Sequence, residues 1–466
     1  MSEKTKAELL KEKLVYTPKN TGEELTEKEL KVADDWCEDY KKYLDLSKTE
    51  REAVTQSVKI LEKNGFVPFD KTKTYKAGDR VYLNNRGKSL LFATIGKKPV
   101  SEGTRIVAAH IDSPRMDLKP VPLYESNDLA LMKTHYYGGI KKYQWTAIPL
   151  ALHGVIVRRD ESVVEVNIGE NECDPVFVVS DLLPHLSQEQ NKRTLSEGIK
   201  GEELNVLVGS RPFKDDSISE KVKLNVLSIL FEKYGIVESD FLSAELEVVP
   251  AFKAKDIGFD RALIGAYGHD DRVCAYPALM ACVEVKDPEY TSIGVLADKE
   301  ETGSDGNTGM KSACFEYFVE DLAKMQGGNG RDALSNSQCL SADVNAAFDP
   351  TFPDVVEKNN ASYLNRGVVI TKYTGARGKS GTSDASAEFM GHVRAILEDN
   401  NVIWQIGELG KVDLGGGGTV AKYIANLNVD VIDLGVPVLS MHAPFEVISK
   451  TDIYMAYKAF ECFLKQ

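Results

Sequence analysis

The 466-residue chain contains no run of about 20 apolar residues, which argues against a membrane-spanning helix. It also lacks the cysteine spacing of a thiolate metal knuckle. Its seven cysteines (Cys37, Cys173, Cys274, Cys282, Cys314, Cys339, Cys462) are scattered, odd in number and without a CxxC pair. That pattern is neither a disulfide framework nor a zinc knuckle, so buried, reduced thiols in a reducing compartment are expected. Positive charge is in deficit: the formal net charge of −14 argues against a nucleic-acid binder, which needs clustered Lys and Arg. The opening "MSEKTKAELLKEK" reads as charged helix with no apolar signal core, and the expected location is the cytoplasm.

What remains is ordinary globular composition, 42% hydrophobic and 27% charged. The chain is too long for one ordinary core, which predicts two domains. Its first 65 residues or so read as helices. "TEKELKVADDWCEDYKKYLDL" opens on a Thr cap, and "SKTEREAVTQSVKILEKNG" opens on Ser47 with Glu50 three later and closes on Gly65. Short β runs follow ("DRVYLNN", "KSLLFATIG", "TRIVAAHID"), then a strand-rich middle from about 120 to 255. From about 256 onward β and α alternate, which predicts an α/β fold with a mainly parallel sheet flanked by helices. The division expected is therefore 1–115 plus 256–466 as one discontinuous domain and 116–255 as an inserted β-rich one. "GGGG" at 415–418 is a loop, because four glycines are too costly in entropy to hold as an element.

In a doubly wound sheet, ligands bind at the carboxyl ends of the strands. The polar residues that follow apolar strand runs are few and chemically alike: His110 and Asp112 in "RIVAAHIDSP", Asp270 and Asp271 in "YGHDDRV", Glu300 and Glu301 in "VLADKEETGS", Asp343 in "QCLSADVN", His442 in "PVLSMHAPFE". Imidazoles with carboxylates and no thiolates suit Zn, Co or Mn. His110 and Asp112, two apart on a strand, share a face, so the Asp can hold the second ring N–H. Two divalent ions about 3.5–4 Å apart need a bridging carboxylate, and an Asp on the turn before a helix can supply one. In an adjacent Glu pair, one carboxylate can bind metal while the other stays free as a base.

These five pieces, in this order, resemble the M18 family of metallo-aminopeptidases, the aspartyl aminopeptidase group of the co-catalytic zinc peptidases. "HIDSPR" is similar to its HTDSP motif, "EETGS" to EEVGS, "SADVN" to SADM, "LSMHAPFE" to its SMHS-type motif, and "GHDDRVCA" to the segment that provides the bridging aspartate. The resemblance runs from about residue 60 to the C-terminus and includes the inserted module. It implies a zinc-peptidase fold, with His110, Asp270, Glu301, Asp343 and His442 as metal ligands and Asp270 as the bridge. It also implies a cis peptide between Asp270 and Asp271, Glu300 as general base and Asp112 as the group orienting the histidine. A histidine from the inserted domain acts in a neighbouring subunit's site in this family, and "IPLALHGV" nominates His153 as that oxyanion stabiliser. Where family members carry a further histidine after the SAD aspartate, this chain has Ala346.

The implied reaction is hydrolysis of the N-terminal residue of peptides by a bridging water, with two divalent ions, most simply Zn²⁺ with Co²⁺ or Mn²⁺ as alternatives. The family includes enzymes that prefer acidic first residues and others that prefer apolar ones. It forms tetrahedral homododecamers from dimers, with the inserted domain as the dimerisation unit. Partners are thus peptides and further copies of the chain, not nucleic acid or membrane.

Taken singly, each piece has a plainer reading. A strand-end His-x-Asp can be a satisfied polar pair, Glu-Glu a helix start favoured by the dipole, and Asp-Asp an N-cap. The joint occurrence at successive strand ends is what points to a metal site. His269 is assigned a structural role, His135, His185 and His392 to the surface or local hydrogen bonds, and the cysteines to packing. Lys372, Arg377 and Lys379 read mainly as a solvated loop. Two competing functions are a related metallohydrolase (carboxypeptidase, dipeptidase or deacylase) and a non-catalytic assembly protein on the same fold. Such hydrolases often carry Glu at the Asp343 position, and an assembly protein would have lost a ligand or the base; here none is missing.

Overall fold

Alternating apolar strands and helices build a mixed sheet of nine strands in the computed structural model, which describes residues 4–215 and 217–466. At its centre Thr291–Ala297, Thr104–His110, Gln338–Ser341 and Asp430–Gly435 lie side by side and parallel. Antiparallel neighbours flank them: Ser89–Thr94 beside Thr291–Ala297, and Val368–Thr371 beside Asp430–Gly435. The strand Thr104–His110 is buried along its whole length because both faces are covered. Val107 and Ala109 join a cluster with the helices Glu27–Asp45, His269–Glu284 and Lys450–Leu464. Ile106 and Ala108 face the opposite way, toward the helix Cys314–Met325.

Residues between Arg115 and Pro250 form a separate, wholly antiparallel sheet of seven strands. It has its own hydrophobic core, onto which the helix Lys221–Tyr234 packs through Val222 and Val226. Two of its long strands, Arg115–Ser126 and Leu129–Tyr137, are joined through Asn127 and Asp128, both with positive φ (49° and 60°). Asn and Asp tolerate that conformation best after Gly, which fits a tight hairpin turn. Chain order thus places the strand Arg115–Ser126 only five residues beyond the end of strand Thr104–His110, so the second sheet grows from the carboxyl end of a central strand of the first.

The local helix signals hold with one change. Thr26 caps Glu27–Asp45 in a capping box with Glu29, but the next helix is capped by Thr49 with Glu52, not by Ser47 with Glu50. Both pairs fit the pattern; Glu50 is instead buried (1% exposed) against Arg115 and Lys88.

Candidate metal centre

The carboxyl ends of the central strands converge on one cavity of about 450 Å³, lined by Asp270, Glu300, Glu301, Asp343 and His442 among others. His110 ends its strand and aims Nε2 at Asp270 Oδ1 (3.2 Å) and Asp343 Oδ1 (3.8 Å). His442 Nε2 lies 3.2 Å from the other Asp270 oxygen and 3.6 Å from Glu301 Oε1. Two groups of donor atoms result, His110–Asp270–Asp343 and Asp270–Glu301–His442, each with its ligand atoms within 4.8 Å of one another. Asp270 belongs to both.

Surrounding groups fix this arrangement. His110 Nδ1 faces the Asp112 carbonyl oxygen (3.0 Å) and its Oδ1 (3.3 Å). The Asp112 carboxylate accepts the N–H groups of Glu300 and Glu301 (3.1 and 3.2 Å) and the Tyr137 hydroxyl (2.8 Å). Lys299, with φ 65°, turns the chain out of the strand, so the two glutamates stand on a short 3₁₀ turn. Both can therefore face the cavity, which a continuing strand would forbid. Asp270 lies in the non-helical first turn of the buried segment His269–Glu284 and is joined to Asp271 by a cis peptide bond, as the family resemblance implies. His442 also has positive φ (65°), uncommon for a non-glycine residue and typical of sites that hold local strain.

The electrostatics are those of a cation site. Burial pushes the Glu301 and Asp343 carboxyls well above their usual range, and neighbouring carboxylates (Asp270 for Glu301, Asp271 for Asp343) add to it. Burial, opposed by His110 and reinforced by the charges of Asp112 and Asp270, raises Glu300 to about 7. Burial would lower His442, yet Asp270 and Glu301 raise it to about 10. Asp270 moves down, because hydrogen bonds from both imidazoles outweigh its burial. Oxygen and imidazole donors in two groups around a shared carboxylate fit two divalent ions of the zinc class.

His153 is not part of this centre. It lies on the strand Leu150–Val157, where Leu152 faces the sheet's own core and His153 therefore faces the other way. There it is 1% exposed, with Nδ1 2.8 Å from Glu52 and Nε2 3.1 Å from Glu170. Buried and engaged at both nitrogens, the ring has a structural contact set within its own chain and stands apart from that chain's metal centre. His269 is also structural, hydrogen-bonded to Tyr40 and the Ile264 carbonyl. Lys372 and Lys379 pair with Asp384 outside the cavity. The glycine loop does reach it: Gly416, Gly417, Gly418 and Thr419 are lining residues.

Sequence reasoning missed several contributors. Glu446, 1% exposed, accepts the N–H of Asp270 (3.0 Å) and of His442 (2.7 Å). The Gly139 carbonyl receives His442 Nδ1 at 2.7 Å. Glu446 follows His442 closely enough to be suspected; Tyr137 and Gly139 carry no local signal, since their partners are remote in sequence.

A family model described as Aminopeptidase I zinc metalloprotease (M18) matches residues 43–464. A probable M18 family aminopeptidase 1 from Clostridium acetobutylicum is 51% identical over 454 residues, covering 96% of this chain and 98% of its own length. The crystal structure of the M18 aminopeptidase from Thermotoga maritima superposes with a TM-score of 0.93 at 45% identity, covering 97% of this chain and 99% of its own. That of aminopeptidase I from Clostridium acetobutylicum gives 0.92 at 48% identity, covering 97% and 100%. A match of this extent, over a centre of this chemistry, establishes that the chain belongs to the M18 family of zinc metalloproteases and is a metallo-aminopeptidase.

Proposed function

We propose that this aminopeptidase works with two divalent cations, held by His110, Asp270 and Asp343 on one side and by Asp270, Glu301 and His442 on the other. The observation that carries the proposal is the position of Asp270, whose two oxygens each face one imidazole at 3.2 Å. When bound, such a pair supplies Lewis-acid polarisation of the scissile carbonyl and makes water acidic enough to ionise near neutrality.

The remaining work falls to the chain. Glu300 takes the proton of the attacking water and delivers it to the leaving amine. Asp112 fixes the backbone of Glu300 and the ring of His110 together, which holds the base in register with the metal ligands. The peptide's free α-amine sits among the cavity carboxylates, which limits cleavage to the first residue. Gly416–Gly418 let the backbone of the cavity wall approach the peptide closely.

The unit 116–255 serves as a dimerisation module in a homododecamer built from dimers. Its exposed leucines and isoleucine, including Leu182, Leu183, Leu186 and Ile229, support an interface role. A cytoplasmic setting is supported by seven free cysteines and by the absence, among the described residues, of any helix long and apolar enough to cross a membrane.

Glu300→Gln tests the base. Turnover of aminoacyl-nitroanilides should fall by roughly 10²–10⁴ while bound metal per chain stays unchanged. A variant as fast as the parent would refute the assignment.

A further inference from the structure

The last residue of a strand of the seven-stranded sheet and the two glycines that follow it meet three different groups of the metal centre. Tyr137, the last residue of the strand Leu129–Tyr137, donates its hydroxyl to Asp112. Gly138 passes so close to Glu301 that an added Cβ would lie 3.3 Å from the Glu301 Cβ and 3.3 Å from its Oε2. Gly139 accepts His442 Nδ1 on its carbonyl, and a Cβ there would lie 3.4 Å from the same nitrogen. We propose that Tyr137-Gly138-Gly139 is a positioning strap by which the inserted sheet sets the cation affinity of the Asp270–Glu301–His442 group through the two glycines, reaching the His110–Asp270–Asp343 group only indirectly, through the Tyr137 hydroxyl on Asp112. The inference rests on the two-ion reading above.

The two groups are framed differently. His110 and Asp343 stand at the ends of adjacent parallel strands of the nine-stranded sheet, and the His110 side chain is 1% exposed. His110 Nδ1 is held from within the same strand end, by Asp112. His442 lies on a loop, its side chain 34% exposed, and its Nδ1 partner comes from the strap. A histidine's second nitrogen fixes which nitrogen faces the metal and how the ring points, so loss of that partner acts directly on affinity. Gly138 has φ 70°, a conformation that favours glycine, and an added side chain there would crowd Glu301.

The strap is itself anchored. The Arg115 guanidinium lies 3.9 Å over the Tyr137 ring and is ion-paired to Glu247 (3.0 Å) and Asp117 (2.8 Å), all within the seven-stranded sheet, and to Glu50 (3.5 Å) of the helical layer. The strap's contacts with Glu301 and His442 are thereby tied to the seven-stranded sheet, whereas His110 and Asp343 follow adjacent strands of the nine-stranded one.

The test is a stepwise Co²⁺ titration of the full-length, metal-stripped protein, read by the visible d–d absorption and by chelator competition. The parent should bind two ions with distinguishable affinities. In Gly138→Ala the weaker dissociation constant should rise roughly 10–100-fold, the range for loss of an outer partner, with the tighter one unchanged within about twofold. Gly139→Ala, which keeps an ordinary φ and only crowds His442 Nδ1, should shift the same constant in the same direction by less, and it decides the matter if Gly138→Ala does not fold. Both constants unchanged in the folded variants, or both weakened equally, would overturn the strap. A parent that takes up only one ion would instead overturn the two-ion reading itself.

Discussion

Asp270 lies between His110 and His442, presenting Oδ1 to one ring and Oδ2 to the other at the same 3.2 Å. No other residue belongs to both donor groups. Substitutions should therefore differ in stoichiometry and not merely in degree. Asp270→Ala should strip both ions, whereas His442→Ala should leave about one per chain. Elemental analysis after dialysis against a weak chelator separates the cases. Retention of both ions by Asp270→Ala would show that the bridge is elsewhere.

Tyr137→Phe removes one hydroxyl and leaves the ring on Arg115. Asp112 then loses a donor while still accepting the Glu300 and Glu301 N–H groups. Because Asp112 sets the backbone of Glu300, the proposed base, the loss should appear in kcat, about 10–100-fold, with KM little changed. A rise in KM at constant kcat would place Tyr137 in substrate binding instead.

Much of this centre was legible because strand ends are local features. An apolar run that stops on His, Asp or Glu marks a carboxyl end, and five such ends carry the residues that the fold brings together. What escaped depends on contacts without a local signature. Gly139 and His442 are 303 residues apart, and nothing in "YYGGI" announces the distant imidazole. The His153 segment resembles a family stretch only after a one-residue gap, and within its own chain the side chain meets Glu52 and Glu170 and not the metal centre. The choice between Ser47 and Thr49 as cap was equally beyond local pattern. It was decided by Glu50, which Arg115 and Lys88 draw into the interior.

Glu446→Gln is a nearly isosteric probe of the pairing between Asp270 and His442. Both Glu446 oxygens accept backbone N–H groups, one from each residue. An amide offers only one acceptor and sets its NH₂ against the other N–H, a buried unsatisfied donor pair costing roughly 1–3 kcal/mol. Metal affinity should fall at least tenfold. Glu446→Asp, which keeps both acceptors but shortens the arm, should retain more affinity than Gln. The reverse order would mean that reach, not acceptor count, is what matters there.

The cluster that holds His153 sets an acid limit on stability. Glu170 accepts Lys48 Nζ at 2.6 Å, Lys253 Nζ at 2.5 Å and His153 Nε2 at 3.1 Å, while Glu52 faces the other ring nitrogen. Burial alone would raise the Glu170 pKa, but His153, Lys48 and Lys253 bring it down to about 2. A carboxyl depressed in the folded state contributes stability above its unfolded value, about 4.3, and loses it as pH falls toward 2. Burial also opposes protonation of His153, yet Glu170 and Glu52 raise its pKa. That contribution is complete below about pH 6.5 and fades as pH rises through the folded value. Glu170→Gln should therefore cost roughly 2 kcal/mol near pH 6, allowing for the partial exposure of Lys253. The gap to the parent should close between about pH 4 and pH 2, where the parent's own carboxylate takes up its proton. Urea midpoints measured across that range read the effect directly. A gap that stays constant down to about pH 2 would mean that Glu170 is not the ionised partner of His153 and Lys48 in the folded chain.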